Sequence, residues 1–155
     1  MLPPLSAKII GYWANEEVEM TLPEDMKAHN RKVIEDFRAR GGAPEGRPLL
    51  LLTTIGARTG IMRTTPMMFV RDGERLLVIA SNAGAARHPA WYHNLVAHPD
   101  VSVEMTGESF PATAVVLRGE ERDRVFAGIV ENYPFFADHQ AQVRRTIPVV
   151  ALTLR

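Results

Sequence analysis

The spacing of hydrophobic positions changes once along this chain, near Pro48. Before that point, four hydrophobic residues recur at helical spacing: Met26, Val33, Ile34 and Phe37. This spacing predicts a helix over residues 23–40 that ends at the Gly41-Gly42 pair. Nothing in the helix indicates chemistry, so we expect it to pack against the rest of the protein.

After Pro48, hydrophobic residues alternate or form short runs, which is typical of strands. The predicted strands cover 49–55, 62–71, 75–81, 101–106, 109–117 and 147–154. Hairpin turns are expected at 56–60, at Asp72-Gly73 and around Gly107, and Pro66 marks an edge strand or a bulge. Shorter helices are predicted over 90–97, 120–131 and 137–145. The fold class is therefore mainly β with flanking helices (α+β), arranged as a small antiparallel barrel.

Composition narrows the function without identifying it. The 155 residues are 46% hydrophobic and 23% charged, which fits one compact domain, expected over 23–155. Eighteen basic residues balance eighteen acidic ones, and this balance argues against nonspecific binding to nucleic acid. The absence of cysteine excludes disulfides, thiolate catalysis and cysteine-ligated metal sites.

The N-terminal residues 1–22 are expected to form a strap outside this domain. They have neither a membrane-spanning apolar run nor the pattern of a signal peptide. Four large apolar residues do lie close together here: Ile9, Ile10, Tyr12 and Trp13. Two interpretations stay open, which are packing on the domain or a partner and peripheral contact with a membrane.

The common catalytic and metal-binding motifs are missing. The sequence has no GxSxG elbow, no P-loop and no GxGxxG after a strand. His88, His93 and His98 are spaced five apart, and on a helix their side chains would diverge by roughly 140° per step. We therefore expect no metal.

The segment GARTGIMRTTP indicates an anion site. Two glycines flank a tight turn that carries Arg58 and Thr59, and Arg63 follows on the next strand. Backbone amides, a hydroxyl and two guanidinium groups together can hold a phosphate or carboxylate. A plain hairpin turn with solvent-facing arginines is the alternative.

Two more segments combine small, aromatic and polar residues. SNAGAARHPAWYHNL has Gly84, which permits close approach of a ligand, followed by Arg87 and a helix start. ENYPFFADHQAQVRRTIP places aromatic residues beside a polar cluster, which suits a flat ring. In both segments the aromatic residues can instead be ordinary core.

In order, LLLTTIGARTGIMRTTPMMFVRDG, VIASNAGAARHPAWYHNLVAHPDVSVEM and NYPFFADHQAQVRRTIPVVAL closely resemble the deazaflavin-dependent nitroreductase family over about 28–154. The shared motifs are G-x-R-[ST]-G-x-x-R, N/H-P-x-W-Y-x-N-L and R-T-I-P. The resemblance implies a split β-barrel of the FMN-binding-like type and an oxidoreductase that uses reduced coenzyme F420.

The resemblance also implies a role for each segment. The anionic tail of the cofactor would be held by Ala57, Arg58, Thr59 and Arg63. The deazaflavin ring would lie on Thr64, Thr65, Pro66, Met67 and Met68, with its other edge along Ile79, Ala80, Ser81 and Asn82. The short helix would contribute Ala90, Trp91, Tyr92, His93 and Asn94, and Phe136 would lie near ring and substrate.

The sequence departs from the best-known nitroreductase pattern at several of these positions. Asn82 replaces a lysine, and three residues replace tyrosines: Met68, Phe136 and His139. Tyr133 is the retained phenol. The more apolar pocket favours a flat conjugated acceptor such as an enone, unsaturated lactone or quinone over a nitro compound.

The expected reaction is hydride transfer from reduced F420 to such an acceptor, with the proton supplied by Tyr133, His139 or solvent. The alternative is a non-catalytic split-barrel protein that binds a cofactor or other ligand. An FMN enzyme is disfavoured because the arginine-lined site is oversized for one phosphate. We expect a cytoplasmic protein, as a homodimer, with membrane contact limited to the inner face.

Overall fold

The computed structural model describes residues 6–10, 17–21, 24–44 and 47–155. The described residues form the strands β1 (Ser6–Ile10), β2 (Glu17–Thr21), β3 (Leu49–Ile55), β4 (Met62–Met68), β5 (Val70–Asp72), β6 (Arg75–Ile79), β7 (Asp100–Glu104), β8 (Ser109–Val116) and β9 (Val149–Leu154). They also form the helices α1 (Glu24–Arg40), α2 (Ala90–Ala97), α3 (Gly119–Asn132) and α4 (Phe135–Ala141).

Seven of these strands make one antiparallel sheet in the order β4-β3-β7-β8-β9-β6-β5. Its two edge strands, β4 and β5, are consecutive in the chain and are separated by Phe69 alone. The sheet therefore curls round until its two edges meet at Phe69. There the chain bends and passes directly from edge strand β4 to edge strand β5. These two strands were predicted as one, 62–71, and Pro66 lies in edge strand β4, as expected.

Strand β3 begins with four consecutive leucines instead of alternating apolar and polar residues. Leu50 and Leu52 point into the barrel, whereas Leu49 and Leu51 pack against Val33 and Phe37 of α1. All four leucines are buried because both faces of the strand are covered. The prediction of α1 as a packing helix is confirmed by these contacts.

A second apolar layer joins the opposite side of the sheet to α3 and α4. Leu77 and Val149 of the sheet pack with Phe126, Ile129 and Phe136 of the two helices. Buried Arg122 of α3 donates to the carbonyl of Ile147 from Nε at 3.0 Å and from Nη2 at 2.7 Å. Its Nη2 also donates to Gln140 Oε1 of α4 at 2.9 Å. This layer sets where α4 lies against the sheet.

Element boundaries differ from the predictions near the C-terminus. Helix α4 begins at Phe135 and ends at Ala141, whereas 137–145 was predicted. Pro134 fits the first turn of a helix, so α4 starts directly after it. Strand β9 begins at Val149, two residues later than predicted. The intervening segment is not helical because its polar groups bond to other parts of the protein, as described below.

The predicted strap is described only in part. The backbones of β1 and β2 pair as antiparallel strands. The rest of the strap, including Tyr12 and Trp13, lies outside the described residues, so its packing and its membrane contact stay predictions. Among the helices in the described ranges, none is long and apolar enough to cross a bilayer.

Candidate functional site

An open cavity of about 530 Å³ lies between α1, β4, the segment from β6 to α2, and α4. This volume is within the range of about 300–1,000 Å³ that is usual for small-molecule sites. Its apolar lining includes Pro66, Met67, Met68, Ile79, Trp91, Phe135 and Phe136. The described residues that line it include Lys27 and Arg87 but no carboxylate. The cavity therefore suits a flat apolar ring that carries negative charge.

Eleven of the residues predicted for the site line this cavity: Thr65, Pro66, Met67, Met68, Ile79, Ser81, Asn82, Ala90, Trp91, Phe136 and His139. The other ten lie outside its lining: Ala57, Arg58, Thr59, Arg63, Thr64, Ala80, Tyr92, His93, Asn94 and Tyr133. The three segments singled out in the sequence thus meet at one cavity, although not every predicted residue reaches it.

Sequence reasoning missed one whole wall of the cavity. Helix α1 contributes Met26, Lys27 and Asn30. Met26 was counted in the packing stripe of the helix, and the two polar residues beside it resemble an ordinary solvated face. The contacts become visible only when α1 is packed against β3 and β4. His88 and Pro89 also line the cavity and were not predicted, whereas Phe135 belongs to the aromatic segment that was expected to contact a flat ring.

The turn between β3 and β4 is tightly closed. Gly60 N donates to Gly56 O and Gly56 N donates to Ile61 O, both at 2.9 Å. A Cβ on Gly56 would lie 2.5 Å from Thr59 Oγ1 and 3.1 Å from the carbonyl oxygen of Ile61, so glycine is required there. Thr59 Oγ1 accepts from Ile61 N at 3.2 Å. The turn geometry is fixed from within.

Asn94 of α2 ties this turn to the helix. Its Oδ1 accepts from Ala57 N at 3.0 Å, and its Nδ2 donates to Thr54 Oγ1 at 3.1 Å. The Asn94 side chain is buried, and both of its polar groups are used inside the protein. Its predicted contact with a cofactor stays a prediction, whereas its role in positioning the turn is visible.

Two exposed arginines lie on the path from this turn into the cavity. Arg58 is on the turn and Arg63 is on β4, two residues before Thr65. A strand rises about 3.4 Å per residue, so Arg63 lies about 7 Å from the cavity-lining Thr65 along β4. Within the described part of the chain, no carboxylate pairs with either guanidinium. A ring in the cavity can therefore extend an anionic tail along β4 to unpaired cations.

The wall between β6 and α2 has an unusual backbone. Asn82, Ala83 and Gly84 have φ values of 51°, 54° and 79°, in the left-handed region. For a residue such as Ala83 this conformation costs roughly 1–2 kcal/mol. The guanidinium of Arg145 brackets the turn, since it donates to the carbonyls of Ala80 (3.2 Å), Ser81 (2.8 Å) and Ala85 (3.1 Å). Arg145 therefore holds this wall of the cavity in place.

The histidines are not arranged as the spacing predicted. His88 precedes α2, and its ring centroid lies 5.6 Å from that of His93 and 4.6 Å from that of Tyr92. The expectation of diverging side chains is wrong for His88 and His93 because they do not share one helix. Over the described ranges, no group of three or more His, Cys, Asp or Glu side chains is placed to hold a metal ion.

His139 of α4 is a buried polar residue in the cavity wall. Its Nδ1 is inaccessible and has no hydrogen-bond partner within the described protein. Burial lowers the pKa of His139, and the nearby Asp138 only partly opposes this shift. The imidazole is therefore neutral near pH 7. Tyr133, the other predicted proton donor, is half-buried beside Phe135 and does not line the cavity.

These features fit the cofactor that the sequence resemblance implies. The cavity has flat apolar walls, its charged lining residues are cationic, and unpaired arginines follow β4 away from it. His139 also adds a polar side chain to this lining.

Comparison with known proteins agrees with this site. The model of the F420H(2)-dependent quinone reductase family matches residues 26–154. An F420H(2)-dependent quinone reductase of Mycobacterium tuberculosis is 41% identical over 117 residues, which are 74% of this chain and 76% of that protein.

Two solved structures are also similar. One is the F420-H2 dependent reductase FDR-A, with 40% identity and a TM-score of 0.61 over 68% of this chain and 94% of that one. The other, described as a domain-swapped dimer, has 35% identity and a TM-score of 0.64 over 82% of this chain and 96% of that one. The likeness to the reductase confirms the predicted split β-barrel. This chain belongs to the F420H(2)-dependent quinone reductase family and is an oxidoreductase.

Proposed function

We propose that this protein reduces a quinone-type acceptor with reduced coenzyme F420. The observation that carries the proposal is the position of two exposed arginines beside the apolar cavity: Arg63 is two residues from the cavity-lining Thr65 on β4, and Arg58 is on the turn before that strand. A flat ring with a long anionic tail matches this arrangement. A ligand with a single phosphate would leave part of it unused.

In this proposal the cavity positions two flat molecules against each other. The apolar lining includes Pro66, Met67 and Met68 of β4, and Met68 packs with Ile79 of β6 and Phe136 of α4. When bound, the reduced deazaflavin supplies a hydride in a two-electron step. The protein contributes close approach and the exclusion of water, which together favour transfer to an electrophilic carbon.

The polarity of the cavity favours quinones and related conjugated carbonyl compounds as acceptors. Met68 and Phe136 stand where the best-known nitroreductase has tyrosines, and both are buried apolar residues of the lining. Few phenolic groups are thus available to hold a nitro group. Enones and unsaturated lactones have the same flat shape and carbonyl oxygen, so they belong to the same candidate class.

His139, which lines the cavity, is the proposed hydrogen-bond donor to the acceptor oxygen. A neutral imidazole can donate one hydrogen bond to an oxygen that gains negative charge as the hydride arrives. If neutral His139 acts in this way, turnover falls as pH drops through its lowered pKa. If His139 instead acts as a general acid, turnover rises over the same range. Full turnover in both Tyr133→Phe and His139→Ala would refute a side-chain role.

The test begins with a fluorescence titration of the protein with F420 and, in parallel, with FMN. Reduced F420 is then mixed with menadione, and its reoxidation is followed. We expect micromolar F420 binding, no comparable FMN binding and acceptor-dependent reoxidation. Binding without reoxidation would refute the reductase proposal in favour of a binding protein, and a preference for FMN would refute the cofactor assignment.

Variants separate tail binding from a general charge effect. Arg58→Gln and Arg63→Gln should each weaken F420 binding, more strongly at low salt, because the contacts are exposed and electrostatic. Arg124→Gln on α3 removes the same charge outside the cavity lining and serves as the matched control. Equal effects of all three variants would refute a specific tail site.

We also propose that the protein is a homodimer, since a relative of 35% identity was solved as a domain-swapped dimer. Light scattering coupled to size-exclusion chromatography tests this directly, and a monomer at micromolar concentration would refute it. A cytoplasmic location and peripheral membrane contact stay proposals of the same kind, to be tested by cell fractionation.

A further inference from the structure

The geometry around His88 fixes which ring nitrogen carries the proton. Arg145 Nη1 lies 2.9 Å from His88 Nδ1. A guanidinium in a protein is always protonated and can only donate hydrogen bonds. His88 Nδ1 must therefore be the acceptor, with its lone pair free, and the proton of the neutral ring must be on Nε2.

Arg145 cannot easily move aside from this contact. Its guanidinium also donates to the carbonyls of Ala80, Ser81 and Ala85 at 2.8–3.2 Å. Protonation of His88 at Nδ1 would place two donors against each other and break this set of bonds. The hydrogen bonds that Arg145 makes to the cavity wall therefore depend on the protonation state of His88.

The cationic groups near His88 also disfavour a charged imidazole. His93 and Tyr92 of α2 pack against its ring, Arg87 is its neighbour in the chain, and Lys27 of α1 lines the same cavity. The described lining contains no carboxylate to stabilise an imidazolium. Burial, Arg145 and His93 all lower the pKa of His88.

We propose that Arg145 is a positioning residue that locks His88 as the neutral Nε2–H tautomer, so that this N–H is a permanent hydrogen-bond donor to a carbonyl oxygen bound in the cavity. His88 lines the cavity and its Nδ1 edge is occupied by Arg145, which leaves the Nε2 edge for a ligand. This ligand role rests on the proposed function, because the carbonyl belongs either to the deazaflavin or to the acceptor quinone.

The tautomer is tested without any cofactor. Two-bond ¹H–¹⁵N correlation spectra of the ¹⁵N-labelled full chain report the protonation of each ring nitrogen, and loss of a signal in His88→Asn assigns His88. We expect Nε2–H with unprotonated Nδ1 at pH 7–8, and protonation of Nδ1 only below the pH at which an ordinary imidazole of pKa about 6.5 titrates. An Nδ1–H tautomer, or titration near pH 6.5, would overturn the proposal.

Arg145→Gln tests whether the arginine is the cause. Removal of the fixed charge should raise the pH at which His88 titrates, and it should allow the Nδ1–H tautomer. Arg145→Lys keeps the positive charge but not the planar guanidinium group. In this variant His88 should titrate at a low pH, as in the wild type, but both neutral tautomers should be populated. If His88 behaves as in the wild type in Arg145→Gln, Arg145 is not the lock.

The ligand role is tested by two variants of His88. His88→Asn keeps an oxygen near Nδ1 for Arg145 but removes the donor at Nε2, whereas His88→Gln places an amide donor near Nε2. We expect His88→Asn to weaken the Kd for F420, or to raise the KM for menadione, by about fivefold, the effect of one hydrogen bond. The affected constant identifies the ligand, and His88→Gln should recover part of it.

If neither constant changes in His88→Asn, the donor role is refuted while the proposed function stands. If the wild-type protein does not bind F420, the proposed function fails, whereas the tautomer measurement still decides the state of His88.

Discussion

Replacement of Asn94 by alanine tests how much the Asn94 side chain contributes to holding the β3–β4 turn. The side chain of Asn94 is 8% exposed and joins two separate parts of the chain, the backbone of Ala57 and the hydroxyl of Thr54. Asn94→Ala leaves the Thr54 hydroxyl, 1% exposed, without a hydrogen-bond partner. It also releases the Ala57 amide, which lies at the surface and can bond to water.

These two losses have different costs. A buried hydroxyl without its partner costs about 1–3 kcal/mol, and the net loss of the amide hydrogen bond costs about 1 kcal/mol. We therefore expect Asn94→Ala to lower the free energy of unfolding by about 2–4 kcal/mol. For a domain of this size, that change corresponds to a decrease in Tm of roughly 4–16 °C.

Urea denaturation followed by circular dichroism measures the change, provided that the slope m stays constant. A double-mutant cycle with Thr54→Val separates the two terms, because removal of both partners should cost about 1 kcal/mol less than the sum of the single losses. A change below 0.5 kcal/mol for Asn94→Ala would refute the reasoning.

The same variant should weaken F420 binding through the loosened turn. Val103→Ala is the matched control, because Val103 is fully buried in the barrel and its truncation lowers stability without contact with the turn. Equal affinity of the two variants for F420 would show that the turn does not take part in binding.

Three further predictions follow from buried and cavity-lining charges. Arg122→Met should lower the free energy of unfolding by about 3 kcal/mol in urea titrations, because it leaves the buried Ile147 carbonyl without its donor and removes one of the two donors to Gln140 Oε1. Lys27→Ala should weaken F420 binding about two- to fivefold at low salt. Lys32→Ala, which removes an exposed surface charge paired with Asp36 on the same helix, should not. Burial lowers the pKa values of His88 and His139, so the unfolded state binds more protons below about pH 6.5, and Tm should fall from pH 7 to 5, less steeply in His139→Gln.

The sequence predicted the strands well because local signals and tertiary packing agree there. Leu49–Leu52 form an apolar run, and the structure buries all four leucines between the barrel interior and α1. The Asp72-Gly73 pair indicated a tight hairpin, and it connects β5 to β6. Pro66 indicated an edge strand, which β4 is.

The site was predicted less completely because much of it depends on contacts between distant segments. The anion motif and the aromatic motif were visible in the sequence, since each is local. In the sequence, Arg145 stood out only as the first residue of the R-T-I-P motif. In the structure it bonds to Ala80, Ser81, Ala85 and His88, which are 57–65 residues away. No spacing rule relates positions so far apart. Lys27 likewise lines the cavity only because α1 packs against β3 and β4.

Four polar side chains that lie outside the cavity lining hold its walls in place. Asn94 fixes the β3–β4 turn, Arg145 fixes the wall before α2, and Arg122 with Gln140 fixes α4 against the sheet. Each of these bonds to the backbone of a neighbouring segment, so its loss affects the fold as well as binding.

Most lining residues present only apolar surface to the cavity. The space beside Met68 and Phe136 can therefore be reshaped by substitution at a small cost in stability, as long as the volume change is small. In the proposed function, this division would let one barrel accept different flat acceptors, because the side chains that would meet the substrate are largely separate from those that hold the walls. Acceptor preference should accordingly change more readily than cofactor binding, because the proposed surface for the cofactor tail depends on the turn that Asn94 holds.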